Sequence, residues 1–152
     1  MGPLNGAKST TLEGGIRVPL IMRWPGRIRP GTTSHQVCAT FDLTRSILNL
    51  AAAKVPANRL DGFDIVNHIT VRKPDFPRTL FWRGKRGNRT WSAVREGDLK
   101  FVRKTEGLTQ EWLFDLSKDI GEKTDLSAKN TKDLVRLKKL LADWEKEVRP
   151  VR

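Results

Sequence analysis

With a single cysteine in 152 residues, the chain has no internal disulfide, and no site built from several cysteines can hold a metal. Cys38, in a Val-Cys-Ala-Thr run, reads as a small buried apolar residue. Long hydrophobic runs are missing too. Val18 to Met22 and Ile47 to Ala53 fall well short of the roughly 20 apolar residues that span a bilayer, so no membrane partner is expected. The opening Met1-Gly2-Pro3-Leu4-Asn5-Gly6 lacks a charged-then-apolar leader pattern, and nothing in the sequence directs it to a compartment. Internal repeats and low-complexity tracts are absent.

Positive charge is abundant. Lys and Arg number 29 against 17 Asp and Glu, a formal net charge of +12. Such a charge suits nucleic acid, an acidic polymer surface or a small anionic substrate, and its distribution must decide among them. The densest group, Arg83-Gly84-Lys85-Arg86-Gly87-Asn88-Arg89, reads as a loop and is the candidate basic patch. Arg136, Lys138 and Lys139 share a predicted helix with Asp133, Asp143, Glu145 and Glu147, a mixed-sign pattern that reads as a solvated face. At 38% hydrophobic and 30% charged residues, the chain reads as globular, either one domain or a piece of a larger one.

The first seventeen residues are rich in Gly, Ser and Thr and read as a structured loop; opening on such a loop suggests a truncation upstream. Val18-Pro19-Leu20-Ile21-Met22-Arg23-Trp24 predicts a strand buried on both faces, with Pro19 confining it to an early or edge position. Residues 27–34 form a predicted turn around Pro30-Gly31. Phe41 to Ala52 predicts a short helix with Leu43, Ile47, Leu50 and Ala51 on its buried face and Thr40 or Asp42 as cap. Residues 53–78, with Pro56, Pro74 and Pro77, form a connector holding one helical turn near Ile65 to Ile69.

Four short strands follow: Thr79–Arg83, Thr90–Arg95, Leu99–Arg103 and Glu111–Asp115, with a tight turn at Glu96-Gly97-Asp98. Trp82, Trp91 and Trp112 fall on these strands and read as core. A last helix from about Thr131 to Val148 carries Leu134, Leu137, Leu141, Trp144 and Val148 on one stripe, with Thr131 as N-cap and Pro150 as stop. The expected architecture is α/β, and α+β within these residues. Residues 1–70 form the end of a larger α/β sheet domain, and residues 71–152 form a four-stranded antiparallel sheet packed with a C-terminal helix.

The run Gly6-Ala7-Lys8-Ser9-Thr10-Thr11-Leu12-Glu13-Gly14-Gly15-Ile16-Arg17 resembles the type I sulfatase signature built around Gly-x-Lys-x-Thr-x-x-Glu-Gly-Gly-x-Arg. Further pieces follow in that family's order: Arg23-Trp24-Pro25-Gly26, Asp42-Leu43, Leu60-Asp61-Gly62-Phe63-Asp64, Ala93 to Lys100, and Leu113-Phe114-Asp115-Leu116 followed by Asp119 and Glu122. The resemblance covers nearly the whole chain and implies the alkaline-phosphatase-like fold and sulfate-ester hydrolysis.

It also implies two cofactors. A formylglycine, made from Cys or Ser in a Cys/Ser-x-Pro-x-Arg motif, attacks sulfur, and a divalent metal, usually calcium, binds the sulfate oxygens. Neither belongs to these residues: the motif occurs nowhere in the chain, Cys38 is followed by Ala39-Thr40-Phe41, and Met1 stands at or beside the place of the family's last metal ligand, an Asn. No metal ligand is assigned. The resemblance carries over one catalytic residue, Lys8, which matches the lysine that contacts the sulfate and leaving-group region. On its own, a lysine in a Gly/Thr loop is a solvated charge. Glu13 and Arg17 read as structural, pairing with backbone or each other to hold the loop. His35 and His68 lie in segments unlike the family's catalytic histidine and read as surface residues.

The expected function is therefore the C-terminal part of a sulfuric ester hydrolase, inactive without an N-terminal catalytic region as partner. Its substrate is a sulfate ester, and the basic charge favours a sulfated polysaccharide. The alternative is a basic module for polyanions or nucleic acid without catalysis; no nucleic-acid motif accompanies the charge. Localisation is not legible in the residues, and the resemblance implies a periplasmic, secreted or lysosomal setting.

Overall fold

Four runs of β-branched and aromatic residues, separated by glycine-centred turns, pair in the order in which they are made. In the computed structural model, which describes residues 2–54 and 60–148, β1 (Thr79–Arg86), β2 (Arg89–Glu96), β3 (Leu99–Glu106) and β4 (Leu108–Asp115) form an antiparallel meander in the order β1-β2-β3-β4. Gly87, Gly97 and Gly107 each take positive φ in the connections, a conformation glycine adopts without a Cβ penalty. The strands run longer than their patterns suggested. Residues 83–89 are not a loop but the end of β1, a two-residue turn and the start of β2, so their cations are divided between the two sheet faces.

Both faces of this sheet are covered. One carries Trp91, Ala93, Val102, Phe114 and Leu116, joined by Leu12 of the N-terminal loop and by Trp82 and Trp112. The other carries Val94, Phe101 and Leu113 against Leu137 and Leu141 of α4 (Thr131–Glu147). The α4 stripe buries as expected, except that Val148 at its end stays exposed. Its cap is Asn130 rather than Thr131: the Asn130 side chain accepts a hydrogen bond from the Asp133 amide, which makes Thr131 the first helical residue. The charged side of α4 is not simply solvated. Glu145 accepts from Arg103 Nη2 at 2.7 Å and Ser92 Oγ at 2.9 Å, and Lys138 pairs with Glu111.

The chain divides into two compact units, one of Met1–Pro19 with Arg78–Arg152, the other Leu20–Pro77. Within the second, α2 (Thr40–Leu50) and α3 (Ile65–Thr70) form where helical spacing predicted them. Burial on α2 is the reverse of the prediction. Asp42 and Ser46 are buried, whereas Ile47 is 63% and Leu50 53% exposed. The reason is hydrogen bonding: Asp42 accepts from the Ala39 and Phe63 amides and Ser46 from the Val66 amide, which turns the polar side of the helix toward residues 62–66. Gly62 permits this approach, since a Cβ there would lie 2.4 Å from the Phe41 carbonyl oxygen.

Three other expectations in this unit need correction. The Val18–Trp24 segment that straddles its start forms no strand, and Ile21 is 92% exposed; no described strand lies beside it to satisfy its backbone groups, and Pro19 offers no amide. His68 is buried rather than on the surface, edge-on to Phe63 and Phe76. Cys38 is half-buried rather than buried. Met1, Pro56 and Pro150, to which the sequence assigned a lost metal ligand, a connector and a helix stop, lie outside the described residues. Among the described residues no helix is long and apolar enough to cross a membrane.

Candidate functional site: the lysine loop and its buried anchor

Lys8 lies at the corner of a tight turn. The Thr10 amide and hydroxyl both donate to the Ala7 carbonyl, at 3.1 and 2.9 Å, so Ala7-Lys8-Ser9-Thr10 closes on itself. Ser9 takes φ 78°, a left-handed conformation that a non-glycine residue holds only where its surroundings impose it. Lys8 is exposed and has no hydrogen-bond or ion-pair partner among the described residues. The turn therefore presents an uncompensated ammonium.

What fixes the turn is the Glu-Gly-Gly that follows. The chain folds back through a short helix, α1 (Glu13–Ile16), so tightly that a Cβ on Gly14 would lie 2.5 Å from the Asn5 carbonyl oxygen, and one on Gly15 would strike the Ala7 and Thr10 carbonyls. The Gly14 amide uses that proximity, donating to Asn5 O at 2.6 Å. Both positions thus require glycine on steric grounds.

Beneath the loop is a buried ion cluster. Lys100, on the loop-covered face of β3, is fully buried, and its ammonium donates to Glu13 Oε1 at 2.7 Å. A second carboxylate, Glu122, brings Oε1 within 2.9 Å of the same nitrogen as an ion pair rather than an aligned hydrogen bond. Glu122 Oε2 accepts the Glu13 amide at 2.6 Å, and the Glu122 carbonyl accepts from the Asn5 side chain. Arg17, half-exposed, sits 3.5 Å from Glu13 Oε2. Two cations thus face two carboxylates, which is how buried charge is tolerated. Burial pushes the Glu122 carboxyl above the usual range, and the charge of Lys100 opposes that rise. Trp82 completes the surroundings, with Lys100 Nζ 5.9 Å from its ring centroid.

Glu13 and Arg17 are thus structural, as their place in the motif implied. Lys100 and Glu122 stand in the family-like runs of the sequence, yet no role for them was legible. The signal available was a lysine at an inward position of an alternating strand, and its meaning depended on partners 87 residues away in the case of Glu13. The basic hairpin is also nearby in space: Arg86 Nη1 lies 3.5 Å from Ser9 Oγ. In the other unit, a depression beside α2 and α3 is lined by Trp24, Arg27, Asn49 and Asp64 among others.

Comparison with known proteins identifies the family. The family described as N-sulphoglucosamine sulphohydrolase, C-terminal, matches residues 7–147. The N-acetylgalactosamine-6-sulfatase of Sus scrofa is 30% identical over 165 aligned positions, covering 91% of this chain and 32% of the relative. Arylsulfatase A of Homo sapiens is 33% identical, covering 82% of this chain and 29% of the relative. Among solved structures, Ps i-CgsB in complex with k-i-k-neocarrahexaose superimposes with a TM-score of 0.80 at 26% identity, covering 93% of this chain and 32% of that one. The chain therefore spans about a third of the length of these relatives. The loop signature, the meander with its C-terminal helix and the match over residues 7–147 together make this chain a member of the sulfatase family, within the N-sulphoglucosamine sulphohydrolase C-terminal group.

Proposed function

We propose that this chain is the C-terminal portion of a sulfuric ester hydrolase, in which Lys8 contacts the sulfate and leaving-group oxygen of a sulfated saccharide. In this reading residues 1–70 are the end of the catalytic α/β domain and residues 71–152 the C-terminal subdomain. The observation that carries it is an exposed, unpaired Lys8 on a turn braced by the buried Glu13–Lys100–Glu122 cluster. A rigid turn holds the ammonium in place at little further ordering cost. Its three N–H donors can then neutralise charge that builds on the ester oxygen as the sulfur–oxygen bond breaks, most effectively where water is excluded.

In sulfatases a formylglycine supplies the nucleophile and a divalent cation, usually calcium, offsets the sulfate charge. The residues present fit neither group: no Cys/Ser-x-Pro-x-Arg motif occurs in the sequence, and no three His, Cys, Asp or Glu side chains cluster among the described residues. The contribution of this chain is Lys8 and the loop that holds it, and the chain alone is inactive. A saccharide substrate is supported by the relative solved with k-i-k-neocarrahexaose and by the +12 charge. The nucleic-acid alternative loses ground because the cations of residues 83–89 are divided between two sheet faces instead of forming one stripe.

Two measurements test this. Purified chain with calcium and an aryl sulfate is expected to show no turnover; clear turnover would overturn the missing nucleophile. In an NMR titration with N-acetylgalactosamine 6-sulfate, shifts should centre on Lys8, and Lys8→Ala should weaken binding about tenfold, the worth of one charge-assisted hydrogen bond. Identical titrations for the two proteins would remove Lys8 from the site.

A further inference from the structure

The alternation of β1 divides the basic hairpin. Phe81 stacks on Trp144 of α4, with rings 5.0 Å apart, and Arg83 lies over the same indole, so odd-numbered residues of β1 face the helix. Trp82 packs against the same buried cluster as Leu12, the one that includes Trp91, so even-numbered residues share the face covered by the N-terminal loop. Arg86 belongs to that second set, and its guanidinium reaches Ser9, the neighbour of Lys8.

The other cations near this end of that face are already paired. Arg89, opposite Arg86 in the register, donates to both Glu106 carboxylate oxygens at 2.8 and 2.9 Å, and Lys104 sits 3.0 Å from Glu106. Arg86 is exposed and has no carboxylate partner among the described residues. One residue inward on the same face, Gly84 leaves space: a Cβ built there would meet nothing within 4 Å. An unpaired, planar, five-donor cation thus stands beside the Lys8 turn with open space next to it, a geometry suited to a second oxyanion held two-pronged.

We infer that Arg86 is a specificity-determining residue that reads a second anionic substituent, on the saccharide whose sulfate ester Lys8 contacts. The inference rests on the reading of Lys8 given above. The substrate class narrows accordingly to saccharides carrying two negative groups close together, rather than isolated sulfate esters.

The test is calorimetric titration of the 152-residue chain with N-acetylgalactosamine 6-sulfate and with N-acetylgalactosamine 4,6-disulfate. Wild-type chain should bind the disulfate about tenfold more tightly. Arg86→Ala should abolish that preference while leaving monosulfate affinity unchanged. Lys85→Ala removes the same charge one residue away on the opposite face and should change neither. If the wild type shows no preference, if Arg86→Ala retains it, or if Arg86→Ala and Lys85→Ala weaken binding equally, the inference is overturned, the last outcome marking diffuse charge attraction. Lys8→Ala should weaken both probes; if it weakens neither, the Lys8 reading fails while the Arg86 and Lys85 comparison still reports on Arg86 by itself.

Discussion

The two compact units differ in the balance of side chains they bury, although the α2–α3 unit also buries Ile65 and the sheet unit Thr11 and Ser92. In the sheet unit, Ala93, Val94, Phe101, Val102, Leu113, Leu137 and Leu141 are fully buried in two apolar layers, and the buried charge is gathered in the Lys100 cluster. In the α2–α3 unit the buried residues include Gln36, Asp42, Ser46 and His68, while Ile21, Ile47, Leu50 and Val71 are more than half exposed. The first unit is held mainly by apolar burial, at roughly 25 cal/mol per Å². The second is held by hydrogen bonds that buried polar groups cannot forgo, among them the Gln36 side chain, which both accepts from and donates to the Phe76 backbone. A helix whose period is amphipathic need not bury its apolar stripe if its polar side has better partners.

Four experiments would break or sharpen that contrast. The largest effect is expected from Lys100→Met, which strands two carboxylates in the core and should cost about 3–5 kcal/mol of stability in denaturant titration. Adding Glu13→Gln and Glu122→Gln should recover part of that loss; failure to recover any would mean that Lys100 acts through packing rather than charge. Next, Asp42→Ala removes the acceptor for the Ala39 and Phe63 amides and should cost about 1–3 kcal/mol. Hydrogen exchange should then speed up at those amides and not in the sheet. Equal acceleration in both units would erase the distinction between them.

Asn130→Ala tests the cap of α4 and should lower stability by about 1 kcal/mol, read as a shift in denaturation midpoint, whereas Thr131→Ala should cost less. The smallest effect concerns Glu106, whose carboxyl the Arg89 hydrogen bonds, with help from Lys104, hold down at about 2. A depressed carboxylate contributes stability above the ordinary glutamate range and loses it as pH falls toward that value. Carboxyl NMR titration should find this depression, and Arg89→Ala should return Glu106 toward the ordinary range.

Legibility in the sequence followed the range of the interactions. The four strands and α4 were readable because Gly97 marks a tight turn among short runs of strand type and because Leu134, Leu137, Leu141 and Trp144 repeat at helical spacing. The Val18–Trp24 run misled, because an apolar run becomes a strand only beside another. The cap of α4 was not legible, because the Asn130 and Thr131 side chains can each accept a first-turn amide and only the backbone course chooses between them. His68 gave no sign of burial because its neighbours Phe63 and Phe76 lie in different stretches of an irregular connector.

At the site the division is sharper. By itself the sequence determined the family, through the spacing of Lys8, Glu13, Gly14, Gly15 and Arg17, since the backbone of that loop leaves no room for a Cβ at either glycine. Only the tertiary structure decided what anchors Lys8 and what stands beside it. Lys100 and Glu122 become a clamp because β3 and the segment after β4 meet beneath the loop, and Arg86 becomes a neighbour of Ser9 because the alternation of β1 turns it to that face. Charge balance in a dry interior depends on distance in space, which a linear order of residues does not contain.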